Sequence, residues 1–256
     1  MSPFWRRILG AGTLALAAGV WLLSARLADA SRRSRTCQGV KVEVADSLLR
    51  RFVAKEDVTA WMKDYGVYVG LPLDSVNLAR IERIMDGKSA VRSSQAYLTD
   101  DGYIHIRLTQ REPVVRFQDG SNGYYADQSG FIFPLQTRFA VRVPIVDGNI
   151  PLKVERGFKG DLSSDPWLMK VLAMTQWMKG TVWEENISQM HVNSKGELTL
   201  YPREGRERFF FGQPDRIEEK FRLMTRYYES IVPSSLSGGY GVVDLRYRGQ
   251  IVCRKK

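Results

Sequence analysis

Between Arg7 and Arg26 the chain runs ILGAGTLALAAGVWLLSA, Ile8–Ala25, without a charge. As a helix this run reaches about 27 Å, close to the ~30 Å hydrocarbon layer of a bilayer. The flanking arginines can snorkel to headgroups, and Trp5 and Trp21 fall near the two interfaces. A buried core helix fits poorly, because the run has no polar face and starts near the N-terminus. A cleaved signal peptide is the better rival, since Ala28–Ala30 (ADA) resembles a small-residue cleavage site. Against cleavage, the run exceeds the usual 7–15-residue apolar region and Arg26 intrudes before the site. A spanning helix over 8–27 after a short tail at 1–7 is the expectation, with cleavage as the alternative. The basic residues pull the other way on orientation: Arg26, Arg32, Arg33 and Arg35 would place the richer flank in the cytoplasm.

Much of the net charge of +10 is local to this region. The first 35 residues hold six arginines against Asp29 alone, so the folded part is only mildly basic. No basic stripe interleaved with aromatics runs through that part, which speaks against nucleic acid as a partner. With 44% hydrophobic residues over 256 positions, the chain can fill two cores. Cys37 and Cys253 stand near opposite ends and make no disulfide framework; unpaired thiols are expected.

After the apolar run, GVKVEV (Gly39–Val44) alternates as a strand. KEDVTAWMKDYG sets Val58, Trp61, Met62 and Tyr65 at helical spacing, with acids in the first turn and Gly66 beyond the end. VNLARIERIMDG does the same with Leu78, Ile81, Ile84 and Met85. Two strands follow across the turn Asp100–Gly102, with Ile104, Ile106 and Leu108 on one face of the second. The order is strand, helix, helix, strand, strand.

A second block starts with short strands in PVVRFQDGSNGYYADQSGFIFPL, turning at Asp119–Gly123 and Asp127–Gly130, and then VPIVDG. A helix is punctuated by Asp165 as N-cap, Pro166 at its first position and Gly180 past its end. ISQMHVNSKGELTLYP reads as two strands around Lys195–Gly196, and RERFFFG as another. The last helix carries a stripe of Ile217, Phe221, Met224, Tyr228 and Ile231. GYGVVDLRYRGQIVCRKK closes the chain, with Val243, Leu245, Tyr247 and Ile251 alternating as one half-buried strand with an uncovered edge.

Chemistry-bearing patterns are sparse. His105 and His191 lie in strands, neither in HExxH nor beside a cysteine at metal-ligand spacing. There is no P-loop and no GxSxG. The pairs Glu184–Glu185 and Glu218–Glu219 diverge as neighbours and read as solvated faces. Trp167, Trp177 and Trp183 could stack on sugars, but helical placement favours packing. No catalytic, metal-binding or cofactor-binding residue is assigned, and the chain reads as a non-enzyme without a small-molecule substrate.

The order of parts resembles the FtsQ/DivIB family of bacterial cell-division proteins. QREPVVRF (Gln110–Phe117), YYADQSGFIFPL followed by VPIVDG with its Pro–x–x–x–Gly, the EEKF helix and VVDLRY carry the likeness together. The resemblance implies an α+β chain: one transmembrane helix, a POTRA module (β-α-α-β-β) at 37–112, and a larger β-rich domain with two helices at 113–256. It also implies a bitopic, non-catalytic scaffold of the divisome in the inner membrane at the septum. Its N-terminus would be cytoplasmic and its bulk periplasmic, which overrides the arginine count. Partners would be single-pass division proteins of the FtsB and FtsL type, bound chiefly by the C-terminal strand edge. Carried over, the partner-binding residues are Asp244, Leu245, Arg246, Tyr247 and Gly249, supported by Lys220, Met224 and Tyr228. The alternative is a periplasmic POTRA-type binding or transport module released by signal cleavage.

Overall fold

The computed structural model describes residues 18–24, 35–45, 52–136, 140–233 and 240–255. Most of the expected span at 8–27, and the tail before it, lie outside the described residues. Residues 18–24 are helical, with Val20, Trp21, Leu22 and Leu23 exposed. No helix among the described residues is long and apolar enough to cross a membrane. The chain divides into two compact units that part at Thr109 and Gln110, with Leu48–Phe52 counted in the second.

The first unit has strand β1 (Gly39–Val44), helix α1 (Lys55–Trp61) running into a 3-10 turn at Met62–Asp64, and helix α2 (Leu78–Asp86). Strands β2 (Val91–Leu98) and β3 (Tyr103–Gln110) follow. The sheet order is β1-β3-β2, and β1 lies parallel to β3 from Gly39↔Tyr103 to Val44↔Leu108. Parallel neighbours need a crossover, and the two helices supply it. Asn77 caps α2 by accepting the Arg80 amide at 2.9 Å. Val58, Met62, Ile81 and Met85 are buried with Ile104, Ile106 and Leu108, so the two periodicities meet in one small core.

The second unit is one ten-stranded sheet in the order β13-β12-β11-β10-β9-β7-β4-β5-β6-β8. One half is β4 (Pro113–Asp119), β5 (Asn122–Asp127), β6 (Phe131–Pro134), β7 (Ile145–Gly148) and β8 (Gly160–Asp161). The other half is β9 (Ile187–Val192), β10 (Leu198–Pro202), β11 (Arg208–Gly212), β12 (Val242–Asp244) and β13 (Val252–Arg254). The halves join only at the parallel pairing of β7 with β9, Ile145↔Gln189 through Gly148↔Val192. β4 with β7 and β11 with β12 are also parallel.

Helix α3 (Pro166–Met178) starts where Asp165 accepts the Leu168 amide at 2.8 Å, with Pro166 pre-set for the first turn. It joins α5 (Ile217–Arg226) and the sheet in one apolar cluster that includes Phe117, Val146, Met190, Leu200, Phe209, Phe211 and Phe221. The tryptophans serve this packing. Trp177 stacks on Phe221 at 4.6 Å, and Trp167 donates Nε1–H to the Gly196 carbonyl at 3.0 Å. A third, short helix, α4 (Val182–Asn186), was not expected; five residues are too few to show a period, yet it buries Trp183. Beyond α5 a π-helical turn, Tyr227–Ile231, brings both Tyr227 and Tyr228 against Phe209. Regular α-helical spacing would splay such neighbours apart.

The closing segment departs from the single strand expected. Leu245 leaves the sheet while its amide still donates to the Phe210 carbonyl at 3.0 Å, and its side chain is buried. Gly249 takes a left-handed φ of 64°, and the chain folds back antiparallel as β13, with Val243↔Cys253 paired. β12 therefore has neighbours on both sides, and the free edge is β13.

Candidate functional site

The eight residues expected to meet a partner divide by burial. Lys220, Met224 and Leu245 are inside the second unit and cannot touch another protein in this fold. Lys220 is the surprise among them: its Nζ donates to the Gln213 carbonyl at 2.7 Å and to Asp215 at 2.6 Å, over the ring of Phe211. A buried ammonium needs such partners. Tyr228 is half-buried, its ring against Trp183 and Phe209 and its hydroxyl donating to the Glu207 carboxylate. Burial, with the hydrogen bond to Glu207, pushes the Tyr228 phenol well above its ordinary range.

Asp244 works within the hairpin. It is buried and accepts from Arg246 Nε at 2.9 Å, from the second guanidinium arm at 2.7 Å and from the Arg246 amide at 3.1 Å. Burial pushes its carboxyl up, but the Arg246 guanidinium and amide more than offset this and hold it below its ordinary value. A depressed pKa in the fold stabilises the hairpin above the unfolded value, and that contribution is lost as pH falls through the folded one. Hydrogen exchange, corrected for intrinsic rates, is expected to show β12 and β13 losing protection in acid before β9 and β10. A uniform loss across the sheet would contradict this.

Tyr247 and Gly249 are left on the surface, at and beside the tip of the loop between β12 and β13. Tyr247 is 52% exposed. Arg246 and Arg254 lie 5.8 and 5.9 Å from the Phe210 ring centroid, a basic and aromatic patch beside the free strand. Val252 is exposed on β13 itself. Phe210, Arg216, Glu219 and the strand Val252–Arg254 were not picked out from sequence. Their grouping depends on the fold-back at Gly249 and on the parallel pairing of β11 with β12, neither of which a local pattern reveals.

Each histidine faces a carboxylate, His191 the strand residue Asp147 and His105 the turn residue Asp101. His191 Nδ1 lies 2.9 Å from Asp147, which also accepts from Gln189 at 2.6 Å. His105 lies 3.3 Å from Asp101 and stacks on Tyr97 at 5.3 Å. Among the described residues no group of three or more His, Cys, Asp or Glu could hold a metal ion. A cavity of about 310 Å³ in the second unit is lined by Glu112, Val114, Val141, Thr175, Met178 and Lys179. Lys179 and Glu112 approach to 3.6 Å, and Gln128, Arg142 and Glu184 share the lining with the apolar side chains, so its walls are mixed in character.

A family model described as FtsQ/DivIB, C-terminal related, matches residues 112–254, more than half of the chain. The chain belongs to the FtsQ/DivIB family. A POTRA-like domain model matches residues 35–109, the first compact unit. No curated protein matches the chain. Members of the FtsQ/DivIB family are non-catalytic, membrane-anchored division proteins of the septum. Two of the motifs that resemble the family have plain physical roles here. Asp127 organises the turn after β5 and pairs with Arg111. Gly148 ends β7 at a point where it crowds β9.

Proposed function

We propose that this FtsQ/DivIB-family chain is a bitopic scaffold of the division complex, tethered through 8–27, with its N-terminus in the cytoplasm. Its two folded units face the periplasm, and the β13 edge takes a strand from single-pass partners of the FtsB or FtsL type. The observation that carries this is the position of β13. It ends a ten-stranded sheet, with exposed Val252 on it and exposed Tyr247 at the adjoining loop. An added strand gains main-chain hydrogen bonds from such an edge and selectivity from neighbouring side chains. Arg248, Arg254 and Lys255 surround it, so an acidic segment fits best.

Tyr247→Ala and Arg248→Glu test the site without breaking the Asp244–Arg246 pair. An anchor worth about 2 kcal/mol or more implies a roughly 30-fold weaker Kd for a purified FtsB-type periplasmic segment. Unchanged affinity in both variants would move the site elsewhere. Fractionation tests the tether: the chain is expected at its full 29.2 kDa in the inner membrane. A soluble product shortened by about 30 residues would support the cleaved-module alternative.

A further inference from the structure

Resting on that edge reading, we propose that Arg216, the residue that caps α5, and Glu219 in its first turn are positioning residues that hold the β12–β13 loop in its binding-ready shape. β13 has only three paired residues, and its pairing with β12 continues by one further bond, the Gly241 amide to the Arg254 carbonyl at 3.0 Å. A ribbon so short is marginal unless something else fixes its loop. Two groups do. The Arg216 guanidinium donates to the Arg246 carbonyl at 2.8 Å, and the Glu219 carboxylate accepts the Gly249 amide at 2.9 Å. The holders are themselves joined, Arg216 to Glu219 at 3.4 Å. Tyr247 and Arg248 lie between the two fixed backbone points. The loop is thus pinned on both sides of its tip while the Tyr247 side chain stays in solvent.

Backbone strain points the same way. Arg216 has a φ of 45°, and among the described residues no other non-glycine has a positive value. Arginine is a poor choice for a left-handed site, where Gly, Asn or Asp costs less. Strain of this kind persists when the surroundings over-determine it, and it concentrates where geometry serves function. Here the surroundings include buried Lys220, which binds the Gln213 carbonyl and the Asp215 carboxylate and so fixes the turn that leads into Arg216. The Gly249 amide is also the main reason the Glu219 carboxyl is held below its ordinary range. A loop ordered before contact spares the partner the entropy of ordering it.

The test uses full-length chain in dividing cells, with a photo-crosslinking residue at Val252 and epitope-tagged FtsB-type and FtsL-type partners. The otherwise unaltered chain is expected to give a discrete adduct. Arg216→Gly relieves the backbone but removes the donor, and Glu219→Ala removes the acceptor. Each is expected to cut adduct yield about tenfold, with the thermal midpoint of the purified chain unchanged, as loss of preorganisation implies. Glu219→Gln keeps an oxygen for the Gly249 amide and is expected to restore the yield. Equal yields in all variants, or no rescue by glutamine, would overturn the positioning role alone. No adduct from the unaltered chain would overturn the edge reading and this inference with it.

Discussion

Asp127→Ala is expected to lower the unfolding midpoint of the second unit by roughly 6–20 °C, followed by circular dichroism on the purified chain. Asp127 is 7% exposed and carries four interactions. One oxygen accepts the Ser129 amide at 3.0 Å, the Ser129 hydroxyl at 2.5 Å and the Phe131 amide at 3.2 Å. The other faces Arg111 at 2.9 Å, whose guanidinium carbon lies over the Phe131 ring, 3.4 Å from its centroid. Removing one member of a buried pair strands the other, which costs about 3–5 kcal/mol; each kcal/mol moves the midpoint by about 2–4 °C in a unit of this size. Asp127→Asn separates the parts, since it keeps an acceptor for the turn and loses only the charge. A midpoint within a degree or two of the parent for the alanine variant would show that Arg111 finds water or another acceptor.

Gly148→Ala is the second large effect expected. The φ of 91° is open to glycine, and the strain of alanine there is of order 1–3 kcal/mol. A Cβ would also land on the Val192 carbonyl oxygen and the His191 ring. That carbonyl accepts the Asn149 amide at 2.8 Å, so it cannot move aside without loss. Urea unfolding should show a lower midpoint, with His191 resonances shifted because its ring abuts the same spot. A variant that unfolds like the parent would mean that β7 and β9 slide apart at little cost.

The first unit was legible because its signals are local. Ile104, Ile106 and Leu108 alternate, and Ile81 and Met85 repeat at helical spacing. A core built from two such periods leaves little choice of arrangement. Asp165 and Pro166 likewise mark a helix start wherever they fall together. The second unit hid more, since β7 with β9 and β11 with β12 pair in parallel across long stretches, and no local pattern encodes that register. At the site, Leu245 and Tyr247 alternate as a strand would, and only Gly249 hinted at the fold-back. Lys220 misled because lysine is ordinarily a surface residue, and its burial depends on Asp215 and Gln213 across the turn at Arg216. The stripe on α5 was read at regular spacing, which missed Leu223 and Tyr227, both buried. Tyr227 continues the buried stripe of Lys220, Leu223 and Met224 at ordinary helical spacing, a face the reading passed over because it opens with a lysine.

The sheet's two halves share one backbone ladder, four residue pairs between β7 and β9. That seam has a mechanical meaning. A chain fixed at its amino-terminal side and gripped at β13 would carry tension sideways through the sheet, opening strands in series as a zipper opens rather than shearing them along their length. The shorter ladders would then part first: β12 with β13, β11 with β12 and β4 with β7 each hold three residue pairs, against four between β7 and β9. Gly148 sits at the end of the β7–β9 joint and lets those strands come close, so the seam between the halves would hold while the three-pair ladders beside the grip yield.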